Sequence, residues 1–596
     1  MRGKSYIMLG SMAFIFINGV YTSYAYNPAA YELGEVIVTG ERTKREDLHV
    51  PAAVEIFDHE KIQQMGAENA LDVVKHVAGF TYAASPTGNQ YLGFRGLGVS
   101  YTAILMNGIP IVQNSNYDIE SISTNMIERI EVVKGGSSVL HGSYAMGGVI
   151  NIITKKENHT SKIAVGGGNQ HKGTVSADVG LGSTTISYTH EQMRDYGNVY
   201  RSPRNTYWGD KRRKDSLNVQ YALSDQWSFQ YLYTLKASDS TRRYPNGSTR
   251  PGFHSIIRYQ LGQFRYDNGS MQGSVYYRNR DWKLDTSTHQ KGDNYGFLLQ
   301  NRWNLGKMEL TGGVEYEKEN TRNFTHLPGL KRDSAAVFFM TDTALSEDVR
   351  FRVGAREAYV ENSGKKFLPQ FQVLYAPTKT DSYYMNINRS MRAPHVTEQW
   401  GTETRLMNPD LKAENGWNYE LGWKKILKNQ DYFKVDIFHM DINDRISSVR
   451  LANGLTQCIN VSAFKNSGIE LEYESSPHNH FVYNAGLSFS NPRQQAKPGS
   501  DWKRTEYKLG INWGIGYRDE IKRFNLAFNY MGMRERTSPM LNVDLSSSWK
   551  LSEKDSIHFN VYNLLDREDV RSSRATDNTG MVLLRRNWLL TWEHTF

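Results

Sequence analysis

The chain has a single cysteine, Cys458, among 596 residues, so no intramolecular disulfide is available to staple a small extracellular fold. Beyond its first twenty residues it has no apolar run of the ~20 residues that a membrane-spanning helix needs, which excludes a helical membrane protein. No Gly-rich loop is followed by Lys-Ser/Thr at P-loop spacing, so a nucleotide site is not expected. His59-Glu60 and His190-Glu191 lack the second histidine of a zinc-protease helix, and one cysteine cannot build a cysteine-rich zinc site. Neither a catalytic constellation nor a cofactor site is therefore expected. The net charge of +9 is spread too evenly to indicate nucleic acid, although it suits anionic ligands or lipid head groups.

The sequence is rich in glycine (50), tyrosine (36) and tryptophan (12). Its N-terminus reads as an export signal: Arg2 and Lys4, an apolar stretch over 6–20, and Ser23-Tyr24-Ala25 as a small-x-small cleavage site, giving a leader over 1–25. An exported, aromatic, Gly-rich chain without helical spans has the profile of an outer-membrane β-barrel.

Period-2 alternation supports that reading. Leu217, Val219 and Tyr221 share one face; after a turn at Ser224-Asp225-Gln226, Trp227, Phe229, Tyr231, Tyr233 and Leu235 resume it. Asp267-Asn268-Gly269 signals a second hairpin. Tyr507, Leu509, Ile511, Trp513, Ile515 and Tyr517 alternate with small and polar residues, and Trp588, Leu590, Trp592 and Phe596 close the chain on one apolar face. A β-sandwich also alternates, but not over hundreds of residues with aromatics at strand ends. At about ten residues per strand plus turns, 157–596 holds a transmembrane antiparallel barrel of about 22 strands. Long outer loops are expected over 191–213, 237–254 and 389–418.

Residues 46–156 differ in pattern. Over 60–77, Ile62, Met65, Ala70, Val73, Val74 and Val77 form a helical stripe, and short strands follow over 101–106, 127–133 and 149–154. This α/β block is sized to be a domain that closes the barrel lumen. It carries Phe94-Arg95-Gly96, Asn107-Gly108, then Ile127-Glu128-Arg129-Ile130-Glu131-Val132-Val133-Lys134-Gly135-Gly136, His141-Gly142 and Gly147-Gly148-Val149-Ile150-Asn151. The Gly-Gly pairs by themselves mark tight turns between buried strands.

That series resembles the plug of TonB-dependent outer-membrane receptors, and the resemblance runs from Glu35 to Phe596. Arg392-Ala393-Pro394, Asn408-Pro409-Asp410-Leu411-Lys412-Ala413-Glu414 and Val561-Tyr562-Asn563-Leu564-Leu565-Asp566 are similar to the family's barrel landmarks, with Ala413 where proline is usual. The resemblance implies that Glu35, Val36, Ile37, Val38, Thr39 and Gly40 are the TonB box, a β-prone periplasmic run that pairs with the inner-membrane protein TonB by strand addition. Only about ten residues separate the cleavage site from this box, too few for an additional signalling domain. The terminal aromatic strand resembles the signal read by the barrel-assembly machinery.

The resemblance further implies a ligand held above the plug by its apex loops, 82–91 and 111–118, and by outer barrel loops. Tyr82, Asn89, Gln90, Tyr91, Gln113, Asn114, Asn116 and Tyr117 offer ring faces and amide donors suited to a flat, oxygen-rich chelate, and Arg392 and Arg405 would attract an anionic one. A ferric siderophore is the leading expectation. Haem is the alternative, with His395 as an iron ligand, and cobalamin is a third. No metal site is expected unless haem is the cargo. A passive porin or adhesin is the reading from another class, opposed by the box and plug that a porin would not need.

Overall fold

The structure, a computed structural model, describes residues 37–38, 43–44, 47–84, 90–111, 118–156, 160–285, 288–323, 330–401, 405–534, 538–570 and 580–596. The expected leader over 1–25 lies outside these residues.

Twenty-two principal antiparallel strands, from Lys162–Gly168 to Asn587–Thr595, close into a barrel. Closure is direct: Ile163 pairs with His594, Val165 with Trp592, and the Phe596 amide donates to the Ser161 carbonyl at 2.9 Å. Alternation decides which side of the wall each residue takes. In Trp227–Arg243 the odd positions Trp227 and Phe229 face outward, while Gln230, Leu232, Thr234 and Lys236 are buried inside. In Leu509–Arg518, Ile511 and Trp513 point out and Asn512 points in. Both expected hairpins occur, and the second is fixed by Asn268, whose side chain accepts from the Met271 amide at 2.7 Å beside Gly269 at φ +88°.

Two of the expected outer loops are strand instead. Residues 191–213 lie largely in Thr184–Arg201 and Thr206–Ala222, and 237–254 lie largely in Trp227–Arg243 and Thr249–Asp267. Their polar residues resemble loop because these strands rise beyond the apolar band, where both faces are wet. The third stretch is largely a connection, between Asp381–Arg392 and Glu414–Ile426, with a turn of helix at Val396–Gln399 and a short strand at Arg405–Leu406.

Inside the barrel sits a five-stranded sheet in the order Val54–Asp58, Ile127–Lys134, Gly148–Thr154, Thr102–Met106, Ile109–Pro110. The single helix suggested by the stripe over 60–77 is two, His59–Gln64 and Ala70–Val74. Gly66 breaks it at φ +64°, where a Cβ would lie 2.3 Å from Ser546 Cβ of the wall. Asn69 starts the second helix, its side chain accepting from the Leu71 and Asp72 amides. The stripe itself holds: Ile62, Ala70, Val73, Val74 and Val77 are in the plug core, with Met65 packed against it. Wall residues Leu232, Tyr259 and Leu261 join that core, so plug and barrel share one apolar interior. Ahead of the plug, Ile37–Val38 pairs with Thr43–Lys44, which gives the β-prone run a local strand partner.

Candidate functional site

Two features between plug and wall could serve transport: a charged seal and a chamber. The seal is built around Arg95, which sits at φ +52° between Phe94 and Gly96 and is fully buried. Its guanidinium reaches Glu420 at 2.5 Å, Glu470 at 3.1 Å and Asp436, and lies over the Phe438 ring with its centre 3.9 Å away. Lys134 extends the cluster to Glu55 at 3.1 Å, Glu470 at 3.2 Å and Glu472. From the wall, Lys434 pairs with Glu472 at 2.5 Å and donates to the Val54 carbonyl at 2.9 Å, while Lys424 donates to the Val50 carbonyl at 3.0 Å. Burial, together with the adjacent Glu472 carboxylate, pushes the Glu55 carboxyl up to about 8.

Two glycines let the plug approach this wall. A Cβ on Gly135 (φ +81°) would lie 1.9 Å from Glu420 Oε1, and one on Gly136 would lie 2.1 Å from Asn388 Oδ1. The pair therefore marks a close approach to the barrel as well as the turn read from sequence. Elsewhere in the motif, Gly96 (φ +77°) and Gly142 (φ +71°) are turn positions, Gly147 and Gly148 lead into Gly148–Thr154, and Arg129 bonds Glu131 at 2.7 Å. Glu128 is exposed.

The chamber, about 160 Å³, lies between the plug and another sector of the wall. Tyr82 and Glu120 border it from the plug, at the edges of the two apex loops; Tyr196, Tyr562 and Leu583 border it from the barrel. Its cations are matched by carboxylates: Lys172 with Glu68 at 2.7 Å, Arg212 with Glu120 at 2.8 Å, Lys214 with Glu191 at 2.9 Å, Lys236 with Glu120 at 2.8 Å, and Lys75 with Asp544 at 2.8 Å. Burial alone would raise the Glu120 carboxyl, but Arg212, Lys236 and Lys214 together hold it well below the usual range.

Of the ligand residues expected from sequence, Tyr82 borders the chamber. Asn89, Gln113, Asn114, Asn116 and Tyr117 lie outside the described residues. Gln90 and Tyr91 belong to the strand Gln90–Phe94, whose hairpin partner is Phe80–Ala84. Arg392 is no ligand arm: it is buried, bonded to Glu398 at 2.8 Å and Glu414 at 2.5 Å, and packed on the Tyr101 ring. His395, 1% exposed, stacks on plug Tyr144 with centroids 5.3 Å apart, and burial draws its imidazole down to about 3. Both side chains brace the 393–413 connection against the plug, so the loop position predicted for them misread a buried corner as surface. Arg405 is half-buried and reaches the Thr397 carbonyl at 3.5 Å. Of the expected box, Glu35, Val36, Thr39 and Gly40 lie outside the described residues.

Sequence reading did not find Glu55, Glu420, Asp436, Glu470, Glu472 or Lys434. A signal was present: Glu470, Glu472 and Glu474 recur at period 2 on one strand, placing three carboxylates on one face of a wall that elsewhere keeps charge inside.

Comparison with known proteins agrees with this geometry. Residues 46–149 match the TonB-dependent receptor plug domain and residues 158–564 match the β-barrel of TonB-dependent receptor-like proteins. Over 96% of its length the chain is 23% identical to a vitamin B12 transporter, BtuB, of Vibrio vulnificus, covering 97% of that protein. It is 25% identical to an iron-regulated outer membrane virulence protein of Vibrio cholerae over 67% of each chain. The FrpB iron transporter from Neisseria meningitidis superposes with a TM-score of 0.76 at 13% identity, covering 92% of this chain and 100% of that one.

Proposed function

The chain belongs to the TonB-dependent receptors of the outer membrane, which are receptors and transporters rather than enzymes, and from that premise we propose that it imports a metal chelate, in first reading a ferric siderophore, using work applied at residues 35–40. The observation that carries this reading is the seal. Arg95 and Lys134 of the plug are held by Glu420, Asp436 and Glu470 of the wall, all buried, and by the half-buried Glu472. Withdrawing a buried cation from such partners is costly, so the lumen opens only when force is supplied. A passive pore or adhesin would have no use for this seal. TonB adds a strand to Val36, Ile37 and Val38, displacing or extending the local pairing with Thr43–Lys44, and traction reaches the wall-bonded Val50 and Pro51 and then the strand Val54–Asp58. The outward-facing C-terminal Phe596, 66% exposed, supports recognition of the last strand by the barrel-assembly machinery.

The siderophore reading rests on the rings of Tyr82 and Tyr196 and the cations Lys172, Arg212, Lys214 and Lys236 around the chamber. A second reading, cobalamin, is favoured by two observations. Those cations are already matched by carboxylates, which suits cargo of low net charge, and the relative aligned over nearly its whole length is a vitamin B12 transporter. Haem gains no support from His395, which is buried against Tyr144.

Titrating the purified full chain with ferric siderophores, haemin and cobalamin separates the readings: one class binds tightly, and deletion of residues 35–40 abolishes cellular uptake of that ligand while leaving its binding intact. Uptake that continues at full rate after the deletion would refute energised import.

A further inference from the structure

We propose that the plug edge away from the seal carries a second cargo site, an exit station toward the periplasm for an uncharged molecule rimmed with amides or hydroxyls. The seal grips the Val54–Asp58 edge of the plug sheet through Glu55. At the other edge, beside the turn Asn107-Gly108 between Thr102–Met106 and Ile109–Pro110, lies a chamber of about 390 Å³. That volume falls in the ~300–1,000 Å³ range of small-molecule sites. Its wall side is a belt of five glutamines, Gln220, Gln230, Gln263, Gln272 and Gln300, one from each of five consecutive strands. They stand in register: Gln220 pairs with Gln230, Gln230 with Gln263, and Gln272 with Gln300. Gln220 and Gln230 flank the short turn at 223–226, and Gln263 and Gln272 flank that at 268–270. Short turns mark the periplasmic end of such barrels.

The belt is neutral and only partly engaged. Asn107 Nδ2 donates to Gln230 Oε1 at 2.7 Å, Gln220 Nε2 to Thr154 Oγ1 at 2.7 Å, and Gln263 Nε2 to Ser274 Oγ at 3.1 Å. Gln263 is 2% exposed, yet its Oε1 has no partner among the described residues. A buried acceptor left unpaired is costly, so this one marks where a donor from a guest fits. Charged residues at the border are paired or exposed: Arg129 bonds Glu131 at 2.7 Å, Arg265 bonds Asp267 at 3.0 Å, and Glu128 and Lys156 lie at the surface. Each amide both donates and accepts, so the belt suits amide or hydroxyl rims and carries no charge to hold an anionic chelate. Across this chamber the plug is tied by the neutral bonds of Asn107 and Thr154, weaker than the ion pairs of the seal, so this edge parts more readily under traction. Lys214 and Lys236 of the cation-lined chamber lie on the inward faces of the same two strands as Gln220 and Gln230, farther from the periplasmic turn. Given the energised import proposed above, on which this site rests, cargo leaving that chamber is received by the belt before release.

The test uses the purified full chain in detergent with Ser228→Cys at the border of the chamber; Cys458 is buried and does not compete for label. Labelling by a small uncharged maleimide is followed with cyanocobalamin, an amide-rimmed probe, or with an anionic ferric tris-catecholate. Cyanocobalamin should slow labelling saturably, and the catecholate should not. Gln230→Leu with Gln263→Leu should weaken this protection about tenfold. Gln272→Leu with Gln300→Leu, the other step of the belt, should do the same. In cells, both variants should keep surface binding of cobalamin and import it more slowly. Protection by neither probe or by both equally, protection unchanged in both variants, or import at full rate in both, would overturn the exit site. Import that persists after deletion of residues 35–40 would instead refute energised import, and the labelling, which needs no TonB, reads the chamber in either case.

Discussion

At the scale of single residues, the seal depends on completeness. Arg95 satisfies three carboxylates at once, and Arg95→Ala would leave Glu420 and Asp436 without a cation and Glu470 with Lys134 alone. A loss of about 3–5 kcal/mol is expected, measured as a fall in the urea midpoint of the purified chain. Glu55 makes the seal pH-sensitive in a definite direction. Below its ordinary value of 4.5 the carboxyl is protonated folded or unfolded; as pH rises toward 8 the unfolded chain releases the proton while the folded one keeps it. Stability should therefore decline between pH 4.5 and 8, and Glu55→Gln should flatten that decline, as thermal melts across the range would show. His395→Ala should leave any haemin absorption spectrum unchanged, because the ring is enclosed by Tyr144 and cannot reach a ligand in the lumen.

Among elements, the turn that follows Ile127–Lys134 is the most tightly constrained. Gly135→Ala combines a left-handed backbone with a Cβ placed on Glu420, and a cost of about 3 kcal/mol is expected, read as loss of the heat-resistant folded form. Strands of the plug and hairpins of the barrel were legible because period 2 and turn residues such as Asn268-Gly269 are local signals. The helix over 60–77 was only half legible. Its apolar stripe was correct, but Gly66 interrupts it because a wall residue 480 positions later, Ser546, occupies the space. The supposed loops over 191–213 and 237–254 show the converse error: once a strand leaves the apolar band its alternation fades, although its hydrogen-bonded ladder continues.

For the molecule as a whole, function follows from a plug that is folded with the barrel rather than merely placed in it. The two share an apolar core as well as the charge cluster, so pulling at the N-terminus must break wall contacts in order, beginning with those that Lys424 and Gln372 make to the Val50 and Pro51 carbonyls. If Asn107→Cys and Gln230→Cys, whose parent side chains meet at 2.7 Å, are oxidised to a disulfide, the plug should be fixed to the wall; uptake is expected to stop and to return on reduction, with binding unaffected. Cys458 is buried and would not compete for this pairing.

The sequence by itself determined the barrel, its strand number, the plug and the family, because alternation, turn chemistry and short motifs are encoded between near neighbours. Only the tertiary structure decided which groups meet across the plug and wall. It joined Arg95 to Glu420, Asp436 and Glu470, buried Arg392 and His395 against Tyr101 and Tyr144 of the plug, and matched the chamber's cations with acids. Those partners lie tens to hundreds of residues apart along the chain, and closure of a 22-strand cylinder around a folded domain is what brings them within reach.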